Sequence, residues 1–526
     1  MQKKHRRGAK MKRVALLFAT EMWEKFCFYG MRSIFALFMV HFLGISEAQA
    51  AIYYGAFLAF SYLTPIFGGF IADKILGYHK SVILGCALLC ASQLLFFISA
   101  CGVKSAFLSI LAVIFVMLGN GFFKPSITAL LGIKSQNLNV DAVFSSYYFF
   151  LNLGVLLGSF IVPFFGDVVS EGGRDISAFK WGFLSAFLAQ LLGLIIFILF
   201  SKDEGCKNDE IYISFNVRNF IICTAIFAVI FAVLSAFSGG NFIKNYIYTA
   251  IYSLGISLAV YILLDKSLSK SEKQGVWLIF ISAIFIVFFW ATFEQAGSSL
   301  VFIANNQMDR NLFGFNIPPA MIAMFNPLFV LMLSFVFCVI YIKTPNFSGL
   351  DKQAFGLVLL GFSYLIIAFN VKNLGQNLLD IKWFILLYFL QTCAEMLISP
   401  IGFALVAKFS PKRILGLMFG LFYLANAAGY ALSGTLAALM PPTADKFNKA
   451  HALGIDLNAV LNGKTNANEL EILRANSIPT AYPEIFNIQI TSLYEFFMLF
   501  FVLCAFGGVL LFFVNKICYN QPKING

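Results

Sequence analysis

The chain has 526 residues, of which 60% are hydrophobic and only 12% charged, and its mean hydropathy is +0.84. A soluble protein of this length carries about 25% charged residues, so the composition excludes a water-soluble fold and fits a polytopic helical membrane protein. The formal net charge of +12 does not point to nucleic acid, because the basic residues lie mostly in short loops between apolar runs, where they carry topology information.

The N-terminus, MQKKHRRGAKMKR, resembles the basic start of a signal peptide. The apolar run VALLFA that follows is too short before Glu21 interrupts it, and no small-residue cleavage site follows. Residues 1–13 are read as a retained cytoplasmic tail. Apolar runs long enough to span, roughly 20 residues each, then recur at 14–43, 49–72, 81–101, 105–131, 143–168 and 179–200. The polar break SKDEGCKNDE follows, then runs at 218–237 and 246–265. After the basic loop DKSLSKSEKQ they resume at 276–303, 318–342, 354–371, 383–407, 414–440 and 486–515.

This is an all-α polytopic pattern of fourteen transmembrane helices, six plus two plus six. The expected domains are a six-helix bundle over 14–200, a linker with an inserted helical hairpin over 201–275, a second six-helix bundle over 276–515, and a cytoplasmic tail over 516–526. The basic loops DKILGYHK, DKSLSKSEKQ, KFSPKR and NKICYNQPK fall on the face of the N-terminal tail, which the positive-inside rule makes cytoplasmic. The opposite face includes GISEAQ and a long polar insertion, 441–485, for which a few short helical turns in a capping loop are expected. Two six-helix halves suggest two repeats with a substrate cavity near the bilayer midplane. The inserted pair has no charged residue in its apolar cores and reads as a peripheral hairpin. Ten Cys without a CxxC and four isolated His give no metal or disulfide pattern, and free buried thiols are expected.

Charges inside the spans are few and informative, because charge at membrane depth is costly and usually functional. The first span contains TEMWEKFCFYGMR, residues 20–32. With Glu21 at zero on a helical wheel, Glu24 lies near roughly −60°, Lys25 near +40°, Phe28 near −20°, Tyr29 near +80° and Arg32 near +20°. The polar groups share one face, about 16 Å long, which suits a cavity and not lipid. The plainer alternative is an i,i+4 salt bridge from Glu21 to Lys25 that merely holds the helix. Lys124 in GNGFFKPSIT, Glu294 in FFWATFEQAGSSL and Glu395 in LQTCAEMLISP are the other buried charges. Pairing between the halves would relieve them, and such bridges could form and break as the halves rock. In GGFIADKILGYHK, Asp73 can cap a helix or pair with a base.

At these residues the sequence resembles a known family. GGFIADKILGYHK is similar to the cytoplasmic loop motif of the major facilitator superfamily. TEMWEKFCFYGMR resembles the ExxER-F-x-YYG motif of proton-dependent oligopeptide transporters, and GNGFFKPSI with FSSYYFFLNLG resembles their signature across helices four and five. FWATFEQAGSSL, FNPLF and EMLISPIGFALVAKFSP resemble their motifs in helices seven, eight and ten. The likeness runs from about residue 14 to 515, without the insertion, and implies the major facilitator fold.

The resemblance implies a proton-coupled symporter of di- and tripeptides working by alternating access, not an enzyme. It would sit in a bacterial inner membrane with both termini cytoplasmic. Its partners would be peptide, protons and the lipid bilayer, with no nucleic acid; it would work as a monomer with no cofactor beyond the coupling proton. No GxxxxGK[ST] motif is present. Glu21, Glu24, Lys25 and Glu294 match proton-coupling positions. Tyr29, Arg32, Tyr62, Lys124, Asn152, Asn326, Glu395 and Ser399 match peptide-binding positions, with Arg32–Glu294 and Lys124–Glu395 as gate bridges. For Asn152 and Asn326 helix linkage is the plainer role, for Tyr62 packing, and for Ser399 satisfaction of the backbone freed at Pro400.

Three departures stand out. Lys25 replaces an arginine and is a point charge without a bidentate fork. Phe28 replaces a tyrosine and removes one hydroxyl. Phe422 in MFGLFYL stands where tryptophan is frequent. The last two leave open a same-fold carrier of another small solute: a modified peptide, an amino acid or nitrate.

Overall fold

A computed structural model describes the chain apart from residues 1, 104, 136–139, 171–172, 202–216, 238–240, 267, 344–347, 376, 412–413, 486 and 520–526. The polar break after Ser201 and the end of the C-terminal tail therefore lie outside the described residues.

Apolar stretches with no water to satisfy their backbone must bond internally, so they fold as helices. The first bundle runs α1 (Gln2–His41), α2 (Glu47–Ile71), α3 (Tyr78–Ala100), α4 (Ala106–Lys134), α5 (Val140–Gly166) and α6 (Phe179–Phe200). The inserted pair is α7 (Val217–Phe237) and α8 (Thr249–Leu263). Then come α9 (Lys270–Phe293), α10 (Ser299–Asn306), α11 (Phe325–Lys343), α12 (Gly349–Val371), α13 (Ile381–Phe409) and α14 (Leu415–Ala437). The insertion forms α15 (Ala444–Ala452), α16 (Leu457–Leu461) and α17 (Ala467–Ala475), and α18 (Leu493–Tyr519) closes the chain. The strands described are two residues long and occur in connections, such as the antiparallel pair Val169–Ser170 with Gly173–Arg174.

Each expected apolar run carries a helix among its described residues, but the last run is helical only from Leu493, after the strand pair Glu484–Ile485 and Ile488–Gln489. Among the described residues, twelve helices are long and apolar enough to cross a membrane. The first span, which carries the four charges of its motif, is not among them, and α7 contributes only the shorter apolar stretch Ile221–Ala236.

Local chemistry sets several helix starts. Ser269 with Glu272 and Ser348 with Asp351 form capping boxes at α9 and α12, each satisfying otherwise orphaned N–H groups. Asp380 accepts from the Lys382 N–H at the head of α13. Asp73 does not cap α3. It lies in a π-helical turn, Ala72–Leu76, and Gly77 with φ 78° occupies the cap position.

The contacts divide into two compact units. The first comprises Met1–Leu43, Phe60–Ser214 and Ile317–Leu331; the second comprises Gly44–Ala59, Phe215–Asn316 and Met332–Gly526. One helix, α2, therefore passes from the second unit into the first. The first unit has a core of Val14, Leu17, Phe123, Ile127, Leu131 and Phe197, among others. In the second unit, α12 packs on α18 and α13, and α9 packs on α14. The inserted pair is not wholly peripheral, because α8 packs on α14 and the Tyr248 hydroxyl donates to the Ile52 carbonyl at 2.6 Å. The insertion is more than loose turns. Its three helices enclose their own small core of Ala450, Ile455, Leu457, Val460, Leu461, Leu473 and Ile478.

Candidate functional site

Close backbone packing fixes the first-span motif. Gly154 and Gly158, one turn apart on α5, lie against the carbonyls of Met22 and Phe26 on α1, and a Cβ at either position would overlap those oxygens. Only glycine lets the two backbones approach this far. That contact sets the rotation of α1, and the charged face of the motif turns into protein.

On that face Lys25 bridges both carboxylates. Its Nζ lies 2.7 Å from Glu21 Oε1 and also contacts Glu24 Oε2. The side chains are 8%, 3% and 0% exposed for Lys25, Glu21 and Glu24. Tyr147 of α5 stands beside Glu21. The second oxygen of Glu24, Oε1, is buried with no hydrogen-bond partner among the described residues. Two carboxylates and one ammonium leave the buried triad one negative charge in excess when all are ionised. An i,i+4 bridge between Glu21 and Lys25 is present, but it does not account for Glu24.

One turn further along α1, the ring of Phe28 packs edge-on to Tyr29, with centroids 5.4 Å apart. The Arg32 guanidinium lies over Tyr29, 5.1 Å from the ring centroid. From α4, Lys124 reaches across so that its Nζ is 4.5 Å from the Phe28 centroid and 4.8 Å from that of Tyr62. Tyr62 is brought there by the second half of α2. The Thr64 hydroxyl donates to the Met117 carbonyl of α4 at 2.7 Å, where Gly121 leaves room for the approach. Asn152 is buried and donates to the Tyr148 carbonyl of its own helix at 2.9 Å. Asn326 also belongs to the first unit, in the segment Ile317–Leu331. There the Ala320 N–H donates to Asp167 at 2.9 Å, and Arg174 pairs with the same aspartate.

In the second unit, Glu294 sits where a span is broken. The helix α9 ends at Phe293, a 3-10 turn runs Glu294–Gly297, Ser298 adopts φ −135° and ψ −94°, and α10 begins. Broken spans of this kind place backbone and side-chain polar groups at membrane depth. Gln295 fixes the break: its Nε2 donates to the Ala291 carbonyl at 2.9 Å and to Ser433 of α14 at 3.2 Å, and Ser299 donates to its Oε1 at 2.6 Å. Gly297 leaves a notch filled by the Tyr54 hydroxyl. Glu395 and Ser399 are one turn apart on α13, just before Pro400. The Ser399 Oγ is buried without a hydrogen-bond partner among the described residues. Phe422 contacts Phe403 edge-on at 5.1 Å, and its ring fills the space beside Gly402.

The structure therefore assembles Glu21, Glu24 and Lys25 in one cluster, Tyr29 and Arg32 in a second, and Lys124 and Tyr62 in a third, all in the first unit. Sequence reasoning missed the ring of Phe28 as a partner of Lys124, and it missed Gln295 and Tyr54. The Gln in FEQAG was a legible signal, since an amide at membrane depth needs partners. Tyr54 had none. Among the described residues no group of His, Cys, Asp and Glu is suited to hold a metal. The seven described cysteines are unpaired, and four of them are buried.

Comparison with known proteins identifies the family. Residues 79–453 match the family model PTR2, described as the POT family. The chain belongs to the POT family. Membership makes it a multi-pass membrane carrier of the major facilitator type, not an enzyme. Among curated POT relatives, the dipeptide and tripeptide permease A of Yersinia pestis is 26% identical over 448 residues, 83% of this chain and 86% of the relative. Its namesake from Chromobacterium violaceum is 28% identical over 436 residues, 81% and 84% of the two chains. Among solved structures, a point mutant of a peptide transporter POT in complex with alafosfalin has a TM-score of 0.74 at 22% identity, covering 97% of this chain and 95% of that one. A POT family transporter in complex with 5-aminolevulinic acid has a TM-score of 0.73 at 23% identity, covering 96% of each.

Proposed function

We propose that this POT protein is a proton-coupled symporter that imports di- and tripeptides by alternating access. The observation that carries the coupling is the buried triad of Glu21, Glu24 and Lys25. One bound proton brings the triad to electroneutrality, and a buried excess charge is costly enough to make its protonation state matter to which conformation is stable. Glu21 and Glu24 carry the proton, Lys25 is their partner, and Glu294 shares the task. The proton is the only coupling species required.

A peptide is a zwitterion, and recognising it takes a cationic and an anionic end. Lys124 and Arg32 serve its carboxylate side, with Tyr29, Tyr62 and Asn152 beside them. Glu395 serves its amino terminus, with Ser399 and Asn326. The bridges Arg32–Glu294 and Lys124–Glu395 open and close the gates. The protein works as a monomer in the lipid bilayer of a bacterial inner membrane, with both termini in the cytoplasm. The names of the curated relatives, dipeptide and tripeptide permeases, support the substrate class.

Uptake of labelled dialanine into proteoliposomes, with and without an inward proton gradient, tests this for wild type and Glu21→Gln. Gradient-driven accumulation that vanishes in the variant, with counterflow exchange preserved, is the expected result. Folded protein that exchanges neither dialanine nor trialanine overturns the substrate assignment and favours the same-fold carrier of another solute, with Phe28 and Phe422 as the altered pocket.

A further inference from the structure

The insertion 441–485 has no part in the site described above, yet it is tied to a residue at the very start of α2. Glu47 Oε1 is 3.0 Å from Lys446 Nζ and accepts from Asn306 Nδ2 at 2.9 Å. Asn306, the last residue of α10, also donates to Thr443 Oγ1 at 3.2 Å. Thr443 donates to Asp445 at 2.5 Å, and Asp445 lies 3.5 Å from Lys446. The Ala444 N–H donates to Gln307 Oε1 at 3.3 Å, and Gln307 donates on to the Gly375 carbonyl at 2.8 Å. Lys446 and Glu47 are 11% and 14% exposed. The first helix of the insertion, α15, is thus fastened to α10 and to the head of α2 through one carboxylate.

What lies beside this fastening is also informative. The insertion keeps its apolar core to itself. Between it and the head of α2 there is a cavity of about 400 Å³, lined by Gly44, Ser46 and Gln49 on one side and Pro441, Arg474 and Ile478 on the other. The two parts are therefore held by a few polar bonds across a seam that is not close-packed, which suits a joint that opens and recloses. The helix held by this joint is the one that runs through both compact units. Its first half packs tightly within the second unit: Gly55 meets Gly434 of α14 backbone to backbone, and Tyr248 bonds Ile52.

We propose that Glu47 is a gating residue of the transport cycle and that the insertion is its latch: Lys446 and Asn306 hold the head of α2 closed on the extracytoplasmic side, and that side opens only when Glu47 leaves them. The proposal rests on the alternating-access reading and its orientation. The insertion, on this view, sets how often the outer gate opens and takes no part in binding peptide.

Accessibility tests it without any substrate, so its failure is separable from failure of the peptide assignment. A cysteine is placed at Ala56, buried on the held half of α2, in a Cys101→Ser background that removes the one exposed thiol among the described cysteines; labelling of that background without the Ala56 cysteine is subtracted. Labelling by a membrane-impermeant maleimide is timed in right-side-out vesicles. Lys446→Ala is expected to speed labelling at least threefold, and the charge swap Glu47→Lys with Lys446→Glu to return it to within twofold of the parent. Equal rates in all three proteins overturn the latch. Faster labelling that the swap does not reverse also overturns it, since the effect would then not come from the ion pair. Thermal unfolding of each detergent-solubilised variant identifies any that is misfolded; for such a variant Lys446→Gln replaces Lys446→Ala.

Discussion

The ammonium of Lys124 rests 4.5 Å from the centre of the Phe28 ring, with Tyr62 on a second side at 4.8 Å. The position at which this sequence departs from the tyrosine pair of its family is therefore in contact with the lysine assigned to the peptide carboxylate. A phenyl face stabilises a cation by about 1 kcal/mol without accepting a hydrogen bond, so Phe28 leaves all three N–H donors of Lys124 for other partners. Phe28→Leu, which keeps bulk and loses the π face, is expected to raise the KM for dialanine about fivefold, the equivalent of that energy. Phe28→Tyr retains the face and is expected to stay within about twofold. Equal effects of the two substitutions would show that Phe28 only fills space.

Lys25 offers a sharper test of the buried triad. Removing one partner of a buried ion pair leaves its charge uncompensated, a loss of about 3–5 kcal/mol unless protons are taken up. Lys25→Met is therefore expected to lower the melting temperature in detergent at pH 8 and to abolish gradient-driven accumulation. Lys25→Arg restores the positive charge and is expected to recover most of both. The comparison is read by thermal unfolding and by uptake in the same preparation. A Lys25→Met protein as stable as wild type at pH 8 would mean that the carboxylates do not depend on the lysine.

The polar face of α1 was legible because helical periodicity is short-range: Glu21, Glu24, Lys25 and Arg32 lie within three turns, and no distant contact is needed to align them. The spans were legible for a similar reason, since hydropathy is a local property. Contacts made by distant segments were not legible. Nothing in FCFYG says that Phe28 meets a lysine almost a hundred positions away, and Glu47 in GISEAQ reads as an ordinary acidic helix start. The interruption between Glu294 and Ser298 lies inside a segment, Lys270–Asn306, that is apolar enough overall to read as a single span. The core of the insertion rests on Leu457, Val460, Leu461 and Leu473, too few apolar residues in too short helices to stand out from a polar loop.

Gly158 on α5 is, with Gly154, a residue on which the approach of α1 to α5 depends. Its missing side chain would overlap the Phe26 carbonyl oxygen, a backbone atom that cannot rotate away. Overpacking of this kind costs about 1–3 kcal/mol or moves the helices apart. Gly158→Ala is expected to lower the melting temperature and to reduce uptake at least tenfold, because α1 carries the triad. Gly132, with open space where a Cβ would stand, is the control, and Gly132→Ala is expected to change neither. Normal uptake by Gly158→Ala would show that α1 and α5 can separate without disturbing the triad.

The latch makes a prediction about alkaline pH. Burial pulls the Lys446 ammonium down, but Glu47 and Asp445 more than offset it, and the net shift is above the ordinary lysine value. Among the described residues lining the adjoining cavity, Arg474 is the one charged side chain besides Glu47 and Lys446. A lysine whose folded pKa exceeds its unfolded value of about 10.4 stabilises the fold fully below that value, and the contribution fades as pH rises through the folded pKa. The stability difference between wild type and Lys446→Met, about 1 kcal/mol for a pair this sheltered, is therefore expected to hold steady from about pH 7 to 9.5. Above about pH 10.5 it shrinks, as Lys446 releases its proton and the attraction to Glu47 goes with it. Thermal unfolding of the two proteins side by side in the same detergent checks this. A difference that grows on going from about pH 9.5 to 11 has the wrong sign for an ammonium held by two carboxylates, and would remove the ion pair as the source of the joint between α15 and α2.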